Sequence, residues 1–201
     1  MDFFKILIIA YRISSDAGMA VEITVPEIQQ KEDFTCGPAA LSAAFRRFGI
    51  NVSEEEITEK AHTSEEVGAE GEDLVAVARS YGLGAELRYN MTADDVAECI
   101  QNGQICIICV QSYSDEGPTH DYSEDLDYGH YVVPAKIQNG WMTIMDPWLE
   151  EGTQAAVNLG NLRERWHSAD SSGKEQSGIG IVISGKPVPI PDEKEKVILL
   201  E

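Results

Sequence analysis

Residues 34–41 read Phe-Thr-Cys-Gly-Pro-Ala-Ala-Leu, and they describe the start of a helix with a thiol at its first position. Pro38 suits the first helical turn, where the missing N–H of proline costs nothing. Apolar residues follow at helical spacing, and Gly49 is typical of the left-handed residue that ends a helix. The unpaired N–H groups of the first turn point toward Cys36. We therefore expect them to lower the pKa of this thiol and to donate hydrogen bonds to an oxyanion.

Two residues downstream complete a pattern that is typical of an activated thiol. His130 follows a glycine at the start of an apolar strand, and Asp146 precedes a proline sixteen residues later. An imidazole can take the proton of a thiol, and a carboxylate can hold the ring in one tautomer. Each residue also has a purely structural interpretation: Cys36 as a buried thiol, His130 as a core histidine and Asp146 as a turn residue. Their order along the chain favours a catalytic set of nucleophile, base and orienting carboxylate.

With a glutamine six residues before the cysteine, these stretches resemble the double-glycine leader peptidases, the C39-like family of papain-like cysteine peptidases. The resemblance implies that Cys36 is the nucleophile and His130 the general base. It implies that Asp146 orients the histidine and that Gln30 is the amide of the oxyanion hole. Gln29 is the competing glutamine, but the six-residue spacing favours Gln30.

The resemblance also predicts how the chain is divided. The exporter members of the family carry a membrane domain and an ATPase after the peptidase, whereas this chain has no Walker-type glycine-lysine loop. We expect a freestanding relative with an N-terminal extension (1–18), a C39-like peptidase domain (19–185) and a C-terminal tail (186–201). Residues 1–18 are open to three interpretations: an extension, an edge strand or a wrongly assigned start. The apolar end of the tail is expected to dock on the domain or on a partner.

Three functional hypotheses use the same residues. The first is thiol-dependent hydrolysis of a peptide or amide bond in a peptide or protein substrate. The second keeps the site but transfers the acyl group to an amine, and the third is a catalytically silent peptide-binding protein of the same fold. We expect no cofactor and no metal. The oligomeric state is left open.

Composition restricts the class of partner. The chain has 201 residues, of which 43% are hydrophobic, and this predicts one domain with an apolar core. Its formal net charge is -20, from 35 acidic and 15 basic residues, which argues against binding nucleic-acid backbones or anionic lipid. The charge either attracts basic peptides or serves solubility in a salty cytoplasm. Residues 3–13 are apolar but too short to span a bilayer, so we expect no membrane span and a cytoplasmic location.

Three further cysteines require an interpretation. Cys106 and Cys109 have the CxxC spacing of zinc and redox motifs. They lie in the apolar run 104–110, which is typical of a buried strand, and an odd separation on a strand points two side chains to opposite faces. Together with Cys99, they are therefore interpreted as buried reduced thiols in a reducing compartment.

The order of the predicted elements indicates an α+β fold. Helices predominate in the first half and strands in the second, which is typical of segregated α+β proteins. The resemblance makes this a papain-like cysteine peptidase fold, with N-terminal helices packed on an antiparallel β-sheet. Helices are predicted at 36–48, 53–61, 72–81 and 92–100, strands at 21–25, 84–89, 104–111, 130–137, 141–145 and 178–184, and a helix or turn at 159–166.

The segment 113–128 is long for a loop without regular structure and is strongly acidic. It is either a solvated flap that screens peptide substrates or a simple insertion. Asp121, Ser123, Asp125 and Asp127 alternate as in calcium loops, but the glycine and the terminal glutamate of such loops are missing. We therefore do not expect calcium. His120, in this loop, is the alternative base if His130 is not.

Overall fold

The computed structural model of the protein describes residues 20–114, 120–150 and 154–189, together with the backbone of residues 197–199. Within these ranges the chain forms five α-helices, and none of them has the length and apolar character needed to cross a bilayer. The helices are α1 (Cys36–Arg47), α2 (Glu54–Lys60), α3 (Gly71–Ser80), α4 (Ala93–Gln101) and α5 (Leu159–Arg165). The strands are β1 (Val21–Glu22), β2 (Gly84–Arg88), β3 (Ile105–Gln111), β4 (Gly129–Gln138), β5 (Trp141–Met145), β6 (Gln154–Asn158), β7 (His167–Ala169), β8 (Glu175–Ser177), β9 (Gly180–Ser184) and β10 (Val197–Leu199).

One sheet of eight strands supports the fold. Its order is β10-β6-β5-β4-β3-β9-β2, and β1 pairs with β4 outside this path. Every pairing in it is antiparallel except that of β10 with β6. β7 and β8 form a separate antiparallel hairpin. The predicted α+β class, with the early helices packed on an antiparallel sheet, is confirmed, and the β10–β6 pair is its parallel exception.

Helix α1 lies inside the core. Every residue from Cys36 to Phe45 is buried, and the helix packs against β4 and β3 as well as α2 and α3. The periodicity of the sequence predicts one apolar face, but the structure buries the whole circumference, including Ser42. Small residues make this arrangement feasible, because alanine and serine let neighbouring elements approach the helix from several sides. The thiol at its first position is consequently held by packed structure.

The predicted end of α1 at Gly49 is confirmed, and two further helices begin at side-chain caps. Gly49 follows α1 with a φ of 75°, a left-handed conformation that glycine adopts without strain. Thr92 forms a reciprocal capping box with Asp95 at the start of α4. Ser53 accepts a hydrogen bond from the backbone N–H of Glu56 at the start of α2. These caps use short-range contacts, which explains why the sequence predicts them well.

The sequence prediction differs from the structure mainly at the short strands. Neither β6 nor the β7–β8 hairpin was predicted, and the last predicted strand begins at Gly180 instead of residue 178. β7 and β8 have three residues each, too few for a recognisable alternation. The segment 159–166, predicted as a helix or turn, contains α5.

The chain termini are described only in part. The proposed extension 1–18 lies outside the described residues, as does most of the tail. Val188 at the start of the tail donates its N–H to Arg47 O at 3.1 Å, and Arg47 Nη1 donates to Val188 O at 2.8 Å. The backbone of β10 adds to the edge of the sheet beside β6, so this part of the tail pairs with the domain. The domain boundaries at residues 19 and 185 stay a prediction.

The two thiols of the CxxC spacing have different neighbours, as strand alternation predicts. Cys106 forms a side-chain hydrogen bond with Cys99 of α4, and this bond lowers the pKa of Cys99 to about 7 against the opposing effect of burial. Cys109 instead contacts Ser168, and burial raises its pKa to about 12. Cys36 and these three cysteines are all buried free thiols.

Candidate active site

Cys36 occupies the first position of α1 and is 8% exposed. The preceding Thr35 makes no side-chain cap for the helix: its hydroxyl oxygen accepts from the N–H of Glu32 at 3.1 Å, and the hydroxyl donates to Glu54 at 2.6 Å. The N–H groups of Gly37 and Tyr131 hydrogen-bond to the thiol and favour its charged form. A Cβ on Gly37 would lie 2.9 Å from the Cβ of Ala69, so only glycine lets this wall approach the start of the helix.

His130 faces Cys36 from the sheet. It lies near the start of β4, opposite Val110 of β3, and is 7% exposed. Its Nε2 lies 2.7 Å from Oδ1 of Asp146, and its ring also hydrogen-bonds the thiol of Cys36. Because Nε2 is engaged by the carboxylate, Nδ1 is the nitrogen left for the thiol. The structure therefore brings together three residues that are far apart in the sequence.

Asp146 is the first residue after β5 and is 1% exposed. Its Oδ1 accepts from His130 Nε2 and from the backbone N–H of Trp148, the latter at 3.0 Å. Its Oδ2 accepts a hydrogen bond from the hydroxyl of Tyr113 at 2.6 Å. A buried carboxylate needs such partners, because leaving one without hydrogen bonds is costly.

The electrostatics of the three residues are mutually dependent. Burial alone would raise the pKa of Cys36, but the hydrogen bond and the charge of His130 outweigh it, and the pKa of the thiol is lowered. Burial alone would lower the pKa of His130, but Asp146 and Cys36 raise it to about 10. Burial opposes ionisation of Asp146, yet the imidazolium keeps the pKa of this carboxyl below its usual value. The arrangement thus favours a thiolate–imidazolium pair supported by a carboxylate.

Gln30 lies close to this group, but its amide has other partners. Its backbone N–H donates to Pro147 O at 2.9 Å, which fixes the glutamine beside the segment of Asp146. Its Nε2 donates to the carbonyls of Glu32 and Asp33 at 2.8 and 3.2 Å. Its Oε1 is buried and has no hydrogen-bond partner among the described residues.

The neighbouring Gln29 is exposed, whereas Gln30 is half-buried. The structure therefore favours Gln30 as the glutamine of the site. The role of the Gln30 amide in an oxyanion hole stays a prediction.

The described part of the acidic loop has its own aromatic cluster. His120 is paired with Asp125 and packs edge-on against Tyr122 and Tyr128. The guanidinium of Arg165 lies over the ring of Tyr122, with its Cζ 4.3 Å from the ring centroid. His120 thus belongs to a cluster separate from the ring that contacts Cys36. Residues 115–119 of the loop lie outside the described residues.

A cleft of about 810 Å³ opens beside Cys36. One wall is the segment 65–73, which leads into α3, and the other includes residues 168–172 of the β7–β8 hairpin. The N–H of Ser171 donates to Glu70 Oε1 at 3.0 Å and links the two walls. No lysine or arginine lies among the described residues that line this cleft. The lining carboxylates are Asp33, Glu65, Glu66, Glu70, Glu72, Asp73, Asp127 and Asp170.

Two neighbours of Asp146, Tyr113 and Trp148, are not predicted by the sequence patterns that indicate Cys36, His130 and Asp146. The ring of Tyr113 lies edge-on to His130, with centroids 5.3 Å apart, and 5.7 Å from the ring of Trp148. The available signals were weak: an aromatic residue just after a strand, and a tryptophan two residues after the aspartate.

Helices packed against an antiparallel sheet, with a thiol at a helix N-terminus facing a histidine on the sheet, define a papain-like cysteine peptidase fold. The chain belongs to the Peptidase C39 family, whose sequence model matches residues 24–169. The matched range contains Gln30, Cys36, His130 and Asp146. An uncharacterized protein from Methanothermobacter thermautotrophicus is 32% identical over 92 residues. That match spans 44% of this chain and 64% of the relative, which is less than two thirds of its length.

Solved structures show the same fold. A putative C39-like peptidase from Bacillus anthracis has a TM-score of 0.62 at 15% identity, over 85% of this chain and 100% of that one. A double glycine motif protease from an AMS/PCAT transporter, solved in complex with the leader peptide, has a TM-score of 0.55 at 19% identity. That likeness covers 83% of this chain and 94% of the protease. At these identities the likeness establishes the fold, and the chemistry must be argued from the site.

Proposed function

We propose that this member of the C39 family hydrolyses a peptide bond, with the thiolate of Cys36 as nucleophile. The observation that carries the proposal is the hydrogen-bonded chain from Cys36 through His130 to Asp146, buried at the edge of the cleft. A thiol acts as a nucleophile in its ionised form, and the neighbouring imidazolium and helix N-terminus both favour that form.

The proposed reaction begins from the ion pair. The thiolate of Cys36 attacks the carbonyl carbon of the scissile bond, and the carbonyl oxygen becomes an oxyanion near the N–H groups of the first turn of α1. The imidazolium of His130 then gives its proton to the leaving amine, and a thioester remains on Cys36. Neutral His130 takes a proton from the incoming water, whose oxygen attacks the thioester carbonyl. The acid product leaves, and the proton on His130 restores the ion pair.

Gln30 is proposed as a second donor to the oxyanion. Its backbone N–H donates to Pro147 O, which keeps the residue beside the segment of Asp146. In the structure the hydrogens of its side-chain amide are directed at the carbonyls of Glu32 and Asp33, so this role requires the amide to turn when substrate binds. The unpartnered, buried Oε1 indicates that the present orientation leaves part of the amide unsatisfied.

The substrate is proposed to be a peptide or protein that lies in the cleft between residues 65–73 and the β7–β8 hairpin. The related double glycine motif protease was solved with a leader peptide, which supports a peptide as the substrate class. The proposal does not include a double glycine before the cleaved bond. The peptide library described below determines the cleavage sequence.

The test is cleavage of a mixed peptide library by the wild-type chain, by Cys36→Ala and by Cys99→Ala. We expect the wild type and Cys99→Ala to release new peptide ends, and Cys36→Ala to release none. Added hydroxylamine or amino acid amides separate hydrolysis from acyl transfer, because a transferase would give amide products in place of free acids. Peptide binding without any cleavage by the wild type would identify a silent binding protein and contradict the proposal.

A further inference from the structure

Asp146 has a hydrogen-bond donor on each carboxylate oxygen, and the donor on Oδ2 is a side chain outside the proposed Cys-His-Asp set. Oδ1 is shared by His130 and the backbone of Trp148. Oδ2 is engaged by the hydroxyl of Tyr113 at 2.6 Å. A short hydrogen bond from a neutral hydroxyl to a buried carboxylate is charge-assisted and of the stronger kind.

The backbone of Tyr113 adopts a conformation that large side chains rarely take. Its φ is 63°, in the left-handed region that is unfavourable for a residue with a bulky side chain. The preceding Ser112 donates its N–H to Tyr128 O, so β3 ends in a fixed position just before the turn. The turn directs the phenol back over the site, edge-on to His130 and against Trp148. The strained backbone is thus used to direct a hydroxyl at Asp146.

We propose that Tyr113 is a positioning residue for the Cys36–His130 pair and acts through Asp146. Its hydroxyl holds the carboxylate in the orientation that presents Oδ1 to His130 Nε2, and its ring covers the pair from one side. This inference rests on the proposed peptidase function for its kinetic consequences, but its structural consequence for His130 does not depend on turnover.

The charged groups around Tyr113 agree with this role. Burial and then the charge of Asp146 raise the pKa of the phenol, so it remains a donor throughout the range in which the pair is charged. Arg165 and Tyr122 are the other titratable groups that face Tyr113, and Arg165 also lines a small cavity with Asp146. His130 is the cation that pairs with Asp146, and Cys36 is the group on the far side of the imidazole. Tyr113 is absent from the described residues that line the substrate cleft.

The experiment compares Tyr113→Phe with wild type and with Tyr128→Phe. The first change removes one hydroxyl and keeps the ring. The control makes the same chemical change on a ring that packs against His120 and Tyr122. We expect Tyr113→Phe to lower kcat by about tenfold at neutral pH, as for loss of a hydrogen bond to a charged group, with KM changed less than about twofold. Tyr128→Phe is expected to retain both constants.

The pH profile provides a readout that a purely structural role would not change. Without the hydroxyl, the carboxylate of Asp146 is no longer held with Oδ1 directed at His130 Nε2, so its hydrogen bond to the imidazolium weakens. The pKa of His130 therefore falls from about 10, and the range in which the thiolate–imidazolium pair exists becomes narrower. We expect the basic limb of the pH profile of kcat/KM to move to lower pH in Tyr113→Phe and to stay in place in Tyr128→Phe.

Two measurements keep the inference separate from the peptidase proposal. Titration of His130 by NMR in folded wild type and Tyr113→Phe, both without substrate, should show the lower pKa whether or not the protein cleaves peptides. In an Asp146→Asn background, Tyr113→Phe should change kcat by less than about twofold, because the charged acceptor is already gone. An unchanged His130 titration in Tyr113→Phe overturns the inference, as does a tenfold loss that persists in Asp146→Asn. Absence of turnover in wild type with the expected NMR shift contradicts only the peptidase proposal.

Discussion

Cys36 differs from the other three cysteines in both access and electrostatics. It lies at the edge of the cleft with a lowered pKa, whereas the pKa of Cys109 is raised to about 12 and that of Cys106 is also raised. Cys99 has a lowered pKa of about 7 but lies on the buried face of α4 and is 2% exposed. A low pKa alone does not make a thiol reactive, because the reagent must also reach it.

We expect iodoacetamide to alkylate Cys36 first, at a pH well below the ordinary thiol pKa of about 8.5. His130→Ala should raise the pH at which the reaction begins, since burial still disfavours the thiolate and its cationic partner is lost. Turnover should fall again as the pH rises through about 10, where His130 loses its proton. Mass spectrometry of each cysteine across the pH range measures the alkylation, and steady-state kinetics over the same range measure the turnover. Equal labelling of Cys36 and Cys99 would contradict the assignment.

Asp146→Ala is expected to reduce kcat by roughly 10²- to 10⁴-fold, by analogy with the loss of an orienting carboxylate in other triads. KM should change little, because Asp146 is buried behind His130 and does not line the cleft. Asp121→Ala is the matched control, because it removes an exposed carboxylate whose Oδ1 accepts a hydrogen bond from the N–H of Ser123. Steady-state kinetics on one peptide distinguish the two variants. A rise in KM with kcat preserved would place Asp146 in substrate binding instead.

Gln30 and Gln29 form a natural pair for testing the oxyanion donor. We expect Gln30→Ala to lower kcat by about 10²- to 10³-fold, the usual loss when one oxyanion donor is removed, and Gln29→Ala to have no such effect. Kinetics and thermal unfolding are measured together. A lower Tm for Gln30→Ala without a loss of kcat would mean that its hydrogen bonds to Glu32 and Asp33 are its whole function.

Among the helices, α2 holds the segment that leads into α1, the helix that begins at Cys36. Glu54, the first residue of α2, is 7% exposed and accepts at Oε1 from the N–H of Lys31 at 2.9 Å and from the hydroxyl of Thr35 at 2.6 Å. Thr35 directly precedes Cys36. A single buried carboxylate therefore connects two helices and fixes the turn between Gln30 and the thiol.

Glu54→Ala is expected to lower the free energy of unfolding by about 1–3 kcal/mol, because it removes the acceptor of the part-buried Lys31 N–H and one of the two acceptors of the buried Thr35 hydroxyl. The adjacent Glu55→Ala is the control. Its ion pair with Lys31 is solvent-exposed, and such pairs contribute little to stability, so no measurable change is expected. Urea unfolding of both variants gives the comparison. Equal losses in the two would show that Glu54 does not hold the turn.

The whole molecule carries a net charge of -20, and its charge is unevenly distributed around the cleft. The described lining contains eight carboxylates and no lysine or arginine. A cleft lined by charges of one sign concentrates the electric field and attracts ligands of the opposite charge. Of the two interpretations of the acidic composition, attraction of basic peptides is the one that this distribution favours. Asp127 of the acidic loop belongs to the same lining.

We expect a peptide with lysines flanking the cleaved bond to have a higher kcat/KM than its glutamate counterpart, and the difference to shrink as salt is raised. Glu65→Gln with Glu66→Gln should reduce the preference, because both residues line the cleft. Glu22→Gln with Glu98→Gln removes the same charge away from the cleft and should leave the preference unchanged. Competition between the two peptides at low and high salt measures it. If both double variants lose the preference equally, only the overall charge matters.

Features that depend on near neighbours in the chain could be predicted from the amino-acid sequence. The start of α1 at Cys36, its end before Gly49 and the cap at Thr92 follow from proline, glycine and threonine acting within one or two turns. The order and spacing of Cys36, His130 and Asp146 also identified the family, because they preserve a pattern of short stretches along the chain.

The surroundings of these residues depend on contacts between distant parts of the chain. Tyr113 reaches Asp146 because β3 lies beside β4 in the sheet and its exit turns back over the site. The walls of the cleft come from segments about a hundred residues apart, and the amide of Gln30 donates to the carbonyls of Glu32 and Asp33. Hydrogen bonds and packing across a sheet join residues without regard to their separation in sequence. Periodicity and capping rules act over a few residues, so they do not predict contacts between residues that are distant in the sequence.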